Sequence, residues 1–209
     1  MRRLLQILKN NGVLKNPEIE RAILDVDRKD FVLPESRDFA YINEALAIGH
    51  GQTISQPYVV AFMLELLDPK PGQKILEVGY GSGWQTALLA YLVGAEGHVD
   101  SFEILPELCT FGKTNVEKYP GLAEHVTLHC KNAAAPEKTF SHSAECENVF
   151  DRVISAAAVT EIPDWWREYL KPGGIIVYPK KYSVWKETKN KSGSWTTEEY
   201  PGFVFVPFV

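Results

Sequence analysis

The apolar run Ile75-Leu76-Glu77-Val78 leads into Gly79-Tyr80-Gly81-Ser82-Gly83, three glycines at alternate positions, and then into Trp84-Gln85-Thr86. An apolar strand, a turn that tolerates unusual dihedrals and a helix start make the usual build of a nucleotide pocket. The spacing E-x-G-x-G-x-G lacks the G-x-G-x-x-G ending that suits a dinucleotide pyrophosphate. Two later positions extend the pattern. Glu103 follows the run Val99 to Phe102, about twenty residues past the last glycine, where a carboxylate can accept bonds from both ribose hydroxyls. Lys131-Asn132-Ala133 follows Val126 to His129, and the Asn132 amide can pair with an adenine amino group. Asn at a strand end also serves as an ordinary turn residue. Together the three strand ends predict an adenosine site.

Two further segments carry more specific information. Upstream stands Tyr41-Ile42-Asn43-Glu44-Ala45-Leu46-Ala47-Ile48-Gly49-His50-Gly51-Gln52-Thr53-Ile54-Ser55-Gln56-Pro57. Downstream stands Phe150-Asp151-Arg152-Val153-Ile154-Ser155-Ala156-Ala157-Ala158, then Glu161-Ile162-Pro163 and Leu170-Lys171-Pro172-Gly173-Gly174. The glycine motif resembles the first motif of the S-adenosylmethionine-dependent methyltransferases. With these segments the chain closely resembles the protein-L-isoaspartate O-methyltransferases from about Asp30 to Pro179, with an echo in Phe205-Val206-Pro207-Phe208. The segment Gly49-His50-Gly51-Gln52-Thr53-Ile54-Ser55-Gln56-Pro57 is the most specific part of the match.

The resemblance implies methyl esterification of the free α-carboxylate of isoaspartyl residues in damaged proteins or peptides, with S-adenosyl-L-methionine as cofactor. It assigns cofactor contacts to Gln52, Thr53, Ile54, Ser55, Glu77, Gly79, Tyr80, Gly81, Ser82, Gly83, Glu103, Ile104, Asn132 and Ala133. It gives the catalytic place to Ser55, as a hydrogen-bond donor to the carboxylate oxygen that does not attack. The acceptor is ionised at neutral pH and needs no general base. Alignment of oxygen, methyl carbon and sulfur, with water excluded, is then the main task. Ser55, two residues before Pro57, also reads as a helix cap. The chain departs from the family in having Lys131-Asn132-Ala133 where Gly-Asp-Gly is usual, Asn43 where aspartate is usual, and a longer loop from Ala133 to Val149. A different peptide or RNA acceptor, or a cofactor-binding homologue with weakened catalysis, stands as the alternative.

The elements that must hold these groups read as one domain of 209 residues. Residues 1–57 supply N-terminal helices and a long anchored loop over the site. Residues 58–180 alternate strands and helices, and residues 181–209 form a β-hairpin region around Asn190-Lys191-Ser192-Gly193, with a last strand at Phe203 to Phe208. The fold class expected is α/β, a Rossmann-like doubly wound and mostly parallel sheet with a C-terminal antiparallel hairpin and an N-terminal helical extension.

Composition adds the outer bounds. A net charge of −5 argues against nucleic acid as partner, and no apolar run reaches the ~20 residues of a membrane span. Cys109, Cys130 and Cys146 are odd in number and lack ligand spacing, so they read as reduced thiols in a cytoplasmic protein, and no metal site is expected. A monomer is the expected state.

Overall fold

A computed structural model describes residues 1–135 and 149–208. Helices α1 (Arg2–Asn10) and α2 (Pro17–Asp25) open the chain. Helix α2 starts where Asn16-Pro17 predicts: the Asn16 side chain accepts from the Glu18 N–H, and proline occupies the first turn, whose N–H would be unpaired anyway. The segment from Asp30 to Pro57, expected as one irregular loop, holds more structure. Two 3₁₀ turns (Arg28–Phe31 and Pro34–Phe39) precede a small antiparallel hairpin, β1 (Leu46–Gly49) and β2 (Gln52–Ile54). The turn His50-Gly51 has positive φ at both residues, which suits the twist of a short hairpin. Alternation within it turns Ile48 and Ile54 inward, and both are buried.

Helix α3 (Pro57–Leu67) follows, then β3 (Lys74–Val78), α4 (Trp84–Val93), β4 (His98–Glu103), α5 (Pro106–Val116), the single turn α6 (Pro120–Ala123) and β5 (Val126–Cys130). After residues 136–148, which lie outside the described region, come β6 (Phe150–Ser155), α7 (Asp164–Glu168), β7 (Leu170–Lys180), β8 (Ser183–Lys189) and β9 (Trp195–Pro201). Much of the expected long loop after Asn132 therefore lies outside the described residues.

The seven strands order as β5-β4-β3-β6-β7-β8-β9. The first five are parallel, and β7-β8-β9 continue antiparallel. Strand order reverses between β3 and β6, so the carboxyl end of β3 is the switch point where a ligand crevice opens. That end carries the glycine loop.

The period-2 alternation of β3 explains which side each residue serves. Ile75 joins the larger core, with Val60 and Leu64 of α3, Leu88 of α4 and Leu108 of α5. Leu76 and Val78 face the second core, with Phe102, Trp165, Trp166 and Tyr178. Among the described residues this second face carries only the short α7, and Trp166 and Phe208 meet edge to face across it. The stretch Phe203 to Phe208 is not a strand. It makes an isolated bridge, Ala158 to Pro207, because proline has no N–H to extend a ladder.

Candidate functional site

The glycine loop is fixed from three directions. The N–H groups of Gly79 and Tyr80 both donate to the Phe102 carbonyl of β4, at 2.7 and 3.1 Å. Glu103 Oε2 accepts from the Gly81 N–H at 3.0 Å, while Oε1 accepts from the Ile104 and Leu105 N–H groups at 2.9 and 3.1 Å. Helix α5 presses on the far side: a Cβ built on Gly112 would lie 2.5 Å from the Gly81 carbonyl oxygen, and one on Gly83, where φ is +83°, 2.8 Å from the Gly112 carbonyl. Backbone meets backbone there, and only glycine fits. Gly112 escaped the sequence reading, since one glycine inside a helix carries no period. Gly112→Ala is expected to push α5 off the loop, costing about 1–3 kcal/mol as overpacking does, and to weaken cofactor binding. Calorimetric titration with S-adenosyl-L-homocysteine checks it; unaltered affinity and melting would show that the contact yields freely.

A cavity of about 600 Å³ lies over this loop. It is lined by Gln52, Thr53, Ile54 and Ser55 of the hairpin, by Gly79, Tyr80, Gly81 and Ser82, by Glu103 and Ile104, and by Asn132 and Ala133. The hairpin lies directly above the glycines, since a Cβ on Gly81 would sit 3.3 Å from Ile48 Cδ1. Ser55 is half-buried, and its hydroxyl is bonded to none of the described residues.

Glu77 and Gly83, also expected as contacts, are not among the residues that line the cavity. The strand alternation that sends Val78 one way turns Glu77 under the loop, fully buried, where it accepts from Thr86 Oγ1 at 2.5 Å, Ser101 Oγ at 2.6 Å and Gln85 Nε2 at 3.1 Å. Burial raises its pKa, against the lowering effect of those three donors. Its work is to tie β3, β4 and α4 together beneath the site. Gly83 packs on α5 instead.

Other positions are settled by local bonding. Asn132 Oδ1 accepts from the Ala134 N–H at 2.7 Å, the turn that asparagine at a strand end favours, and the residue still borders the cavity. Tyr80 is buried, with its ring against Gly112 of α5 and its hydroxyl 3.4 Å from the Cys109 carbonyl; burial and the Glu103 charge push its pKa well up. Ser55 does not cap α3. The cap position is Gln56, and it is Asn43 Oδ1 that accepts from the Tyr58 N–H at 2.9 Å, while Gln56 Nε2 donates to the Asn43 carbonyl. Asn43, noted as a departure, thus does the capping. His50 is exposed at the hairpin tip.

The reduced-thiol expectation is also overturned: Cys109 and Cys130 form a disulfide, with Cα atoms 5.7 Å apart. Parallel pairing of β4 with β5 sets Cys130 beside Glu103, and the turn after Glu103 brings the first turn of α5 back over that strand end. A spacing of 21 residues gives no hint of such an approach. Cys146 lies outside the described residues. Closing a loop of that length is worth about 3 kcal/mol in a chain-entropy account. Cys130→Ser is therefore expected to lower Tm by roughly 6–12 °C in a domain of this size. Scanning calorimetry of that variant, and of the parent with and without a strong thiol reductant, reads the effect; an identical Tm would show the bond to be energetically idle.

The sequence reading also missed one wall. Val204 to Phe208 also lines the cavity, held by bonds between the Ala158 N–H and the Val206 carbonyl and between the Phe208 N–H and the Ala158 carbonyl, at 2.7 and 2.8 Å. Only the aromatic-proline pattern pointed there. Among the described residues no group of three or more His, Cys, Asp or Glu stands ready for a metal, and no helix is long and apolar enough to cross a membrane.

The model of one family, protein-L-isoaspartate(D-aspartate) O-methyltransferase, matches residues 1–209. The chain belongs to that family. Its relatives include the protein-L-isoaspartate O-methyltransferase of Pyrococcus horikoshii, 38% identical over 213 residues that cover 100% of this chain and 92% of the other. That of Staphylothermus marinus is 40% identical over 185 residues, covering 85% of this chain and 78% of its own. Among solved structures, a Plasmodium falciparum chain described as a protein-L-isoaspartate O-methyltransferase in complex with S-adenosyl-L-homocysteine superposes with a TM-score of 0.86 at 25% identity, covering 99% of this chain and 97% of the other.

The residues present fit the cofactor this family uses. The cavity has the volume of a small-molecule site. Lys131 is the one cation on its wall among the described residues, which suits a ligand without phosphate. Glu103 Oε2 accepts one backbone bond and retains acceptor capacity toward the cavity.

Proposed function

We propose that the protein methylates the free α-carboxylate of L-isoaspartyl residues in aged proteins or peptides, with Glu103 holding the ribose and Ser55 orienting the acceptor. The supporting observation is that one cavity is bounded by the glycine loop, by Glu103 and by an uncommitted Ser55 hydroxyl on the hairpin above them. When bound, S-adenosyl-L-methionine supplies an electrophilic methyl group on a sulfonium sulfur. The chain's own part is placement. Ser55 donates to one carboxylate oxygen and leaves the other free to attack, so no residue needs to take a proton. Ile48 and Ile54 from the hairpin and Phe205 and Phe208 from the C-terminal stretch displace the water that would otherwise solvate the carboxylate.

Within this reading Thr53, Ile54 and Gln52 close over the methionine end, and Ile104, Asn132 and Ala133 border the adenine. The acidic net charge supports a peptide rather than a nucleic-acid acceptor. A monomer suffices, since one chain supplies every described wall. The site of action we assign is the cytoplasm, on the ground of the substrates and not of thiol state, since Cys109 and Cys130 are paired. The deciding assay offers paired peptides with aspartyl or isoaspartyl at one position and measures methyl ester formed. Ester on the isoaspartyl peptide alone supports the proposal, and equal labelling of both, or of neither, defeats it.

A further inference from the structure

Arg28 is wholly buried in the 3₁₀ turn before the hairpin segment, a rare setting for a charged side chain. Its contacts span the site. Nη1 donates to the Ala40 carbonyl at 2.7 Å, and Nη2 donates to the Glu44 carbonyl at 3.0 Å and the Ser55 carbonyl at 3.1 Å. The guanidinium carbon stands 5.4 Å from the ring centroid of Trp84, the first residue of α4 after the glycine loop, and Trp84 is anchored by its Nε1–H to the Val26 carbonyl at 3.2 Å. Nε has no partner, and among the described residues no carboxylate lies within ion-pair distance.

Physically this is an expensive arrangement. A buried cation met only by carbonyls and an aromatic face forgoes the carboxylate that usually compensates such burial. Burial lowers its pKa to about 10, so it is charged at neutral pH all the same. A packed apolar side chain would fill the space with less strain on stability. What an apolar residue lacks is a rigid fork that grips three carbonyls from separate stretches of the flap formed by residues 40–55 while its charge stands over the tryptophan beside the cofactor loop.

We propose that Arg28 is a positioning residue for methyl transfer: a buried guanidinium that locks the backbone of Ser55 and the flap to the helix that leaves the glycine loop, and so fixes where the Ser55 hydroxyl points. The inference rests on the orienting role given to Ser55 above. Arg28 touches neither substrate nor cofactor. Its effect passes through Ser55.

The test is a double-mutant cycle on the full chain, with Arg28→Lys, Ser55→Ala and the pair. Each is assayed for kcat and KM on an isoaspartyl peptide and for S-adenosyl-L-homocysteine affinity by calorimetry. Lysine keeps the charge but cannot reproduce a planar fork. The expected result is at least a tenfold fall in kcat for Arg28→Lys, with KM and cofactor affinity within about threefold of the parent. The double variant should then be no slower than Ser55→Ala alone. A purely structural arginine would instead multiply its loss onto that of Ser55→Ala, and that outcome overturns the proposal. So does unchanged kcat in Arg28→Lys while Ser55→Ala is slow, a result that leaves the Ser55 reading intact. If Ser55→Ala is fully active, the Ser55 reading fails, and a slow Arg28→Lys beside it sinks the positioning role as well. Should Arg28→Lys not fold, Arg28→Gln, which buries no charge, carries the same readouts. If neither variant folds and binds the homocysteine product, Arg28 serves folding alone and the inference is wrong.

Discussion

Ser55→Ala should lower kcat on an isoaspartyl peptide by roughly 30- to 1000-fold, the equivalent of losing one preorganised donor worth about 2–4 kcal/mol at the transition state. The substitution removes one oxygen from the cavity wall. It breaks no described hydrogen bond, because the hydroxyl is engaged by no described residue and the cap of α3 is made by Asn43 instead. Stability and S-adenosyl-L-homocysteine affinity should therefore stay near those of the parent. The bond of Arg28 to the Ser55 carbonyl is a backbone contact and survives as well. Single-turnover methylation beside a thermal melt separates these quantities. Turnover within a factor of three of the parent would remove the orienting donor from the mechanism.

Glu103→Gln should act on the other half of the site. The carboxylate already accepts three backbone N–H groups, which keep it aimed, and we expect the ribose hydroxyls to complete its shell. An amide offers one acceptor oxygen and turns two donors toward groups that are themselves donors. Hydrogen bonds to a charged group are worth about 1.5–3 kcal/mol each, so losing both ribose bonds should lower cofactor affinity by roughly two to four orders of magnitude. Titration calorimetry with S-adenosyl-L-homocysteine measures this directly. An affinity within threefold of the parent would mean that the ribose is held elsewhere.

The glycine loop and Glu103, which bound the cavity, were legible in the sequence because each is local. A glycine loop declares itself by spacing, and an acid at the end of the next strand declares itself by distance along the chain. Strand order then brings Gly81 and Glu103 to 3.0 Å without further information. Type and spacing do not say which face of a strand a residue takes, and the alternation turns Glu77 under the loop. The disulfide, the wall of Val204 to Phe208 and the grip of Arg28 were illegible. The first two join stretches that only the sheet topology makes neighbours, and Arg28 reaches Ser55 within a segment that has no regular period. The flap lies between. Its length and apolar anchors announced a functional loop, yet its hairpin is short and held mainly by the rest of the protein, so local periodicity said little.

Ile54 and Phe205 face one cavity although nearly the whole domain separates them along the chain. The chamber therefore has a wall made by the last stretch of the chain, and a chain that stops short of Val204 leaves it open on that side.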